Sequence, residues 1–383
     1  MPTEEIVIAE SAANSTLARN SIPAFAPARA ILEQAVAERA FPGAAFGVLH
    51  QGRIAALDAV GRFTYETESP AVQPATIFDL ASVSKVVATT AAAMLLHARG
   101  VFDFDARLGD ILPGFVVGME PGSGKERVTL RMLLTHSSGL PGYVTLFRTC
   151  SNADALLRAA LQLPLEAKPG ARTEYSDPGF ILLGKVIEVL AGRSLDAFCA
   201  REIFTPLGLA STRFRPRASA LSAIPPTEED KTFRRRVIQG EVQDENACVL
   251  GGVAGHAGVF SNVPDLLAFA KSILDRGRTA SGQPLFTPET LDLFATPQTT
   301  PDGQTRALGW DVPTPPSSSG RYFGPHSIGH LGYSGTSLWI DPGQALAIVL
   351  LTNRTWPDRS SDAIRQVRPA FHDAVVESLR ASA

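Results

Sequence analysis

Ser82 stands three residues before Lys85 in Asp79-Leu80-Ala81-Ser82-Val83-Ser84-Lys85, and no other lysine of the chain has a serine at that distance. On a helix this spacing puts hydroxyl and amine on one face, within reach of each other. The chemistry it suggests is nucleophilic, because a serine hydroxyl attacks a carbonyl when a neighbouring group takes its proton. A free lysine has a pKa of about 10.4, so to act as a base near neutrality it must fall by roughly 3, which is worth about 4 kcal/mol. Burial against Val86, Val87 and the apolar turns after them is expected to supply part of that. Such a pair arises by chance about once in a chain of this length. Its place at the head of an apolar helix, where a lysine is costly, sets it apart.

Two further segments complete the constellation. Glu174-Tyr175-Ser176-Asp177 holds the only one of five tyrosines followed two residues later by Asp or Asn, and its phenol can exchange a proton with a nucleophile or leaving group. His330-Leu331-Gly332 is the third segment. His-x-Gly recurs at His50 and His256, so only the position of His330 beside a strand of edge type singles it out.

Competing patterns are weaker. Gly122-Ser123-Gly124-Lys125 lacks the earlier glycine of a phosphate-binding loop and is followed by Glu126. His326 and His330 share a four-residue spacing without the Glu or helix of a zinc site. No Gly-x-Ser-x-Gly elbow occurs. No metal or cofactor is called for. His136 is expected to be a hydrogen-bonded structural residue at a helix end, His256 part of a tight turn or of a strand entry, and Asp244 to Asn246 either a border of the pocket or plain polar loop.

The elements that must position these residues can be read from periodicity and punctuation. Residues 27–40 carry Ile31, Leu32, Val36 and Ala37 at helical spacing. Residues 43–50 and 53–61 are apolar runs joined by Gln51-Gly52, the composition of a hairpin. Helices are expected at 84–97, at 130–135 after the cap-like Thr129, at 178–190 and at 195–204. Residues 216–230 and 311–325, rich in Pro, Ser and Gly, read as loops. Residues 336–340 and 345–352 flank Asp341-Pro342-Gly343-Gln344, a second hairpin, and a last helix spans 364–379, perturbed by Pro369. The order predicts an α/β protein of α+β type, with an antiparallel sheet built from both chain ends, helices flanking it and a mainly helical part inserted between its halves. Residues 1–24 form a polar extension. The catalytic unit spans 25–383, its sheet part at about 25–81 and 251–383 and its helical part at about 82–250.

Composition limits the remaining possibilities. The chain has 383 residues, 45% hydrophobic and 19% charged, with a net charge of −3; this is an ordinary globular balance with no footprint for nucleic acid. The basic cluster Arg234 to Arg236 follows Glu228-Glu229-Asp230 and reads as a solvated loop. Cys150, Cys199 and Cys248 are odd in number and far apart, which suggests free thiols. No stretch approaches the roughly 18 apolar residues of a membrane span, and residues 1–5 lack a signal-peptide pattern. The expected location is cytoplasmic, although a chain trimmed of its signal peptide reads the same.

Taken together, Ser82-x-x-Lys85, Tyr175-x-Asp177 and His330-x-Gly332 resemble the class C β-lactamase and penicillin-binding-protein superfamily, particularly its esterase-like members. Leu133-Leu134-Thr135-His136-Ser137-Ser138-Gly139-Leu140-Pro141 and Ile203-Phe204-Thr205-Pro206-Leu207-Gly208-Leu209 look like hallmark segments of that family, and the resemblance runs from about residue 42 to 369. The segment Asp244-Glu245-Asn246-Ala247 with Gly251 to Gly258 is similar to a bacterial subgroup of serine hydrolases and penicillin-binding proteins. The resemblance implies that Ser82 is the nucleophile, that Lys85 and Tyr175 move its proton, and that the N–H groups of Ser82 and Tyr333 form an oxyanion hole beside Gly332. Which of Lys85 and Tyr175 is the base stays open.

Two departures bear on the substrate. Asp177 stands where Asn is usual, so a group that can donate is replaced by one that only accepts when ionised. His330 stands where β-lactamases carry lysine, and removes a fixed charge for a β-lactam carboxylate; some DD-peptidases of the family share it. The expected activity is hydrolysis of small carboxylic esters or related amides through an acyl-enzyme. The alternatives are a D-amino-acid peptidase or DD-carboxypeptidase with weak β-lactamase activity, and a penicillin-binding sensor without turnover.

Overall fold

The computed structural model describes residues 22–120 and 122–382; most of the expected polar extension, residues 1–21, lies outside the described residues. The first helix, α1, is Ala26–Ala37. Strands β1 (Gly43–His50) and β2 (Arg53–Gly61) form the first hairpin. Gln51 and Gly52 turn it with φ of 50° and 77°, the paired left-handed conformations of a turn whose twist matches the strands. Strands β3 (Ile328–Leu331), β4 (Ser337–Asp341) and β5 (Leu346–Thr352) come from the far end of the chain. They join the first hairpin in one antiparallel sheet of order β3-β4-β5-β1-β2. The two ends of the chain thus meet at the β5–β1 pairing, and β3 forms one edge.

Alternation along the strands sends side chains to opposite faces, and both faces are covered. On one face Phe46, Val48, Trp339, Ile348 and Leu350 pack with Ala28, Leu32 and Ala35 of α1 and with Phe371 and Val375 of the carboxyl-terminal helix Ile364–Ala381. On the other, Ala45, Leu49, Leu338, Ile340, Val349 and Leu351 belong to the larger core with the helix Val263–Leu274 and the helical middle of the chain. Burial on both sides explains why β5 reads as an unbroken apolar run.

The expected helices form with small shifts. Thr129 accepts from the Met132 N–H and caps Leu130–Leu134, and Ser176 accepts from the Gly179 N–H and caps Asp177–Ala191, each satisfying a donor that a helix start leaves free. Within the segment read as loop at 216–230, Ala218–Ala223 winds into a 3-10 turn and Glu228–Asp230 pairs with Arg236–Ile238.

One expectation needs correction. The helical run Ala81–Ala98 has the length and apolarity of a membrane span, with a mean hydropathy of 1.3, yet 83% of it is buried within the fold. It is apolar all round because it is the central helix, enclosed by core on every side.

The helix Val263–Leu274 lies so close to β1 that a Cβ on Gly47 would come within 2.5 Å of Val263 Cγ1 and 2.7 Å of Leu267 Cδ1. Gly47→Ala should therefore lower stability by about 1–3 kcal/mol, the usual range for overpacking, measured as a reduced urea midpoint at unchanged m-value. Unaltered stability would show that the helix and sheet are not in this contact.

Candidate active site

Ser82 lies at the start of the central helix, in the 3-10 turn Ala81–Val83, and a wider π-helical turn, Lys85–Thr90, follows. The Ser82 hydroxyl and the Lys85 amine therefore meet across the junction of two different turns, not within the single α-helical turn expected from the spacing. Ala81, immediately before Ser82, adopts a φ of 47°, strained for a residue with a Cβ. The Asp79 carboxylate holds this turn by accepting from the N–H groups of Ala81 at 2.9 Å and Gln243 at 2.7 Å. Burial pushes Asp79 up to about 6.

Lys85 is completely buried. Its Nζ donates to Ser82 Oγ at 2.9 Å, to Asp177 Oδ1 at 2.7 Å and to the His256 carbonyl at 3.1 Å. Burial works to lower its pKa, as the sequence suggests. The Asp177 carboxylate and the Tyr175 phenol together outweigh burial, and the net direction is upward. At rest Lys85 is thus an ammonium paired with Asp177, not the neutral amine that burial by itself would favour.

Tyr175 lies over this ammonium, its ring centroid 4.8 Å from Lys85 Nζ. Although 36% of Tyr175 is exposed, desolvation of its phenol within the cleft raises its pKa against the Lys85 charge and hydrogen bonding with Lys85 and Ser82, so it too is protonated at rest. His136 stacks on the ring with centroids 4.6 Å apart and rests in turn on Phe180. Its Nδ1 accepts from the Ser176 N–H at 2.9 Å, and burial drives its pKa well below the usual histidine value. His136 is a neutral spacer that fixes Tyr175.

His330 comes from the edge strand β3, with its ring 5.9 Å from that of Tyr175. Its Nδ1 donates to the Leu331 carbonyl at 2.8 Å. Burial, then the charges of Lys85 and Arg306, hold it well below its usual pKa. It offers no positive charge to a substrate. Gly332 and Tyr333 follow in the β3–β4 loop, and the Tyr333 N–H has no hydrogen-bond partner among the described residues. This leaves it free for an oxyanion.

Ser82, Tyr175, Asp177, His330, Gly332 and Tyr333 line a cleft of about 700 Å³ together with Tyr143, Asp244, Glu245, His256, Arg306, Arg354, Arg359 and Arg368, with Lys85 buried beneath it. The structure thus brings together Ser82, Lys85, Tyr175, Asp177, His330, Gly332 and Tyr333. It also adds groups that the sequence reading left as loop or turn. The His256 ring, next to the strand Val259–Ser261, bonds Asp244 Oδ1 at 2.8 Å. Burial opposes ionisation of Asp244, but the contact with His256 and the Ala247 N–H hold it down at about 2. The segments that resemble a hydrolase subgroup carried this pair; nothing in their spacing showed that they would meet. Arg306, Arg354 and Arg368 carried no sequence signal at all.

A two-sided antiparallel sheet joining both chain ends, a helical part beside it and a Ser-x-x-Lys turn at their junction define the class of serine β-lactamase and penicillin-binding-protein folds. The Beta-lactamase family model matches residues 28–370, and the chain belongs to that family. It is 34% identical to an N-acetylmuramyl-L-alanine amidase of Bacillus subtilis (strain 168), over 82% of this chain and 77% of that protein. It is also 34% identical to a putative D-alanyl-D-alanine carboxypeptidase of Escherichia coli (strain K12), over 73% of this chain and 69% of the other. Among solved structures, a class C β-lactamase from Rhodobacter sphaeroides superposes with a TM-score of 0.70 at 24% identity, covering 92% of this chain and 99% of that one.

The Lys85–Asp177 pair makes a pH prediction with a definite sign. If the Lys85 and Tyr175 pair takes the proton of Ser82, it must first lose one of its own, and kcat/KM should then rise with pH. In Asp177→Asn the amide oxygen can still accept from Lys85, but the charge that opposes burial is gone. The pKa of Lys85 then falls, and the rising limb of the profile should move to lower pH. Superimposable limbs for the two proteins would mean that Asp177 does not govern this ionisation.

Proposed function

We propose that the protein is a serine amidase that acylates itself on Ser82, cleaving the amide between an acyl group and an amino acid or short peptide. The contact that carries this reading is the 2.9 Å hydrogen bond between Lys85 Nζ and Ser82 Oγ, inside a cleft where Tyr175 covers the ammonium. Once the Lys85 and Tyr175 pair has lost one proton to solvent, Ser82 Oγ attacks the carbonyl carbon and its proton passes to that pair. The negative oxygen forms against the N–H groups of Ser82 and Tyr333. The C–N bond then breaks and the amine leaves with a proton from the same pair. Water attacks the resulting ester, giving up a proton to that pair; the bond to Ser82 Oγ breaks, the pair returns the proton to Oγ, and the acid departs.

The amide preference is supported by relatives at 34% identity that are named an amidase and a carboxypeptidase. An amine leaves only when protonated, and the raised pKa values of Tyr175 and Lys85 keep protons at hand. The second reading, hydrolysis of small carboxylic esters, is favoured by the neutrality of His330, which leaves that edge without a charge for a terminal carboxylate.

Purified protein should be assayed on N-acetylmuramyl-L-alanine, a D-Ala-D-Ala peptide, an unactivated short-chain ester and a chromogenic cephalosporin. The expected order has one of the two amides first in kcat/KM. A faster ester transfers the site to the second reading, and a faster cephalosporin overturns both. Ser82→Ala should lose roughly four to six orders of magnitude on every substrate that is turned over; retained turnover would remove Ser82 from the mechanism.

A further inference from the structure

We propose that Arg354 and Arg368 are the positioning residues of the oxyanion hole: they hold the carbonyls of the β3–β4 loop from behind and so turn the Tyr333 N–H toward Ser82. The proposal rests on the reading of Ser82 as the nucleophile and concerns groups that touch no reacting atom.

The loop Gly332 to Thr336 has an acceptor role for every one of its carbonyls. Arg368 Nη2 donates to Gly332 O at 2.6 Å and to Thr336 O at 2.9 Å, while its Nε donates to Gly335 O at 3.3 Å. Arg354 Nε donates to Tyr333 O at 2.7 Å. Ser334 O accepts from the Arg354 N–H at 3.0 Å and from the Thr352 hydroxyl at 3.0 Å. The Gly332 carbonyl and the Tyr333 N–H belong to one peptide unit, and in a trans peptide they point in opposite directions. Fixing the carbonyl on Arg368 therefore fixes where the N–H is aimed.

The other side of the loop is bolted to the segment that carries Ser82. Ser334 Oγ donates to Asp79 O at 2.8 Å and Thr336 Oγ1 donates to Leu80 O at 2.9 Å. A Cβ on Gly332 would lie 1.9 Å from Thr336 Oγ1 and 2.4 Å from Leu80 O, so only glycine allows this approach. The nucleophile turn and the loop behave as one body, with the arginines as its backing.

Arg368 is an expensive way to tie down a loop. It is 6% exposed, and no carboxylate lies within ion-pair distance among the described residues. Burial, with the charge of Arg354 added, pushes it down to about 9. A buried charge without a counter-ion is unfavourable, and an apolar residue filling the same space is usually no less stable. What an apolar residue cannot do is orient three carbonyls and add positive potential behind a developing oxyanion.

The test compares transition-state with ground-state affinity in Arg368→Lys, Arg354→Lys and Arg368→Ala, each checked for folding by circular dichroism. The probes are a boronic acid that forms a tetrahedral adduct on Ser82 and the carboxylic acid product. Lysine cannot reproduce the forked contacts of Arg368. In Arg368→Lys, kcat/KM and boronate affinity should fall together by about 100-fold or more, the scale of losing one oxyanion donor, with product affinity unchanged. Guanidinium ion added to Arg368→Ala should restore part of the rate. Folded Lys variants with wild-type boronate affinity overturn the proposal, as do equal losses for boronate and product. If Arg368→Ala does not fold, the two Lys variants decide. Turnover retained by Ser82→Ala would instead indict the nucleophile, a result distinguishable from either.

Discussion

A lysine ammonium has three protons to donate, and in this protein each finds an acceptor on a different part of the chain: Ser82 Oγ, the Asp177 carboxylate and the His256 carbonyl. Lys85 is thereby a cross-link between the start of the central helix, the start of the helix Asp177–Ala191 and the turn leading to the strand Val259–Ser261. Removing one partner of a buried ion pair typically costs about 3–5 kcal/mol, a large part of the roughly 5–15 kcal/mol that holds a domain together. The joining of these three segments and the integrity of the candidate site therefore depend on the same buried charge.

That charge also sets the ionisation of its surroundings. Burial, with the charges of Lys85 and Arg306, keeps His330 and His136 neutral, which makes them shape and hydrogen-bonding elements and not acids. Tyr175 is pulled both ways, with burial prevailing over the ammonium. Asp177 in place of the usual Asn converts what would be an amide contact into an ion pair. The result is a site that rests with its protons on board.

Geometry around Ser82 is held by strain and its compensation. Ala81 sits at φ 47°, and Asp79 secures it through the Ala81 N–H while reaching the Gln243 N–H. The β3–β4 loop leans on the backbone of Asp79 and Leu80, just before Ala81, through Ser334 and Thr336. Nucleophile and loop thus share one support, on the view that misplacement by about 1 Å costs a hundredfold in rate.

The two hairpins, the helix order and the Ser82, Lys85, Tyr175 and His330 segments were legible in the linear chain, because each is encoded locally. A period of two with a Gly turn makes a hairpin, a capping Thr or Ser starts a helix, and a three-residue spacing brings hydroxyl and amine together. The protonation of Lys85 was not legible: burial and Asp177 push in opposite directions, and which prevails depends on a 2.7 Å contact between residues 92 positions apart in sequence. The same holds for the Asp244–His256 pair and for Arg354 and Arg368, whose neighbours are assembled from distant segments. Residue types and short-range spacing offer the Ser82 and Lys85 pair, and its place at the head of an apolar helix together with the family resemblance singles it out. Only the fold decides its charge state and its backing, because electrostatics and hydrogen-bond direction are properties of what surrounds a group in space.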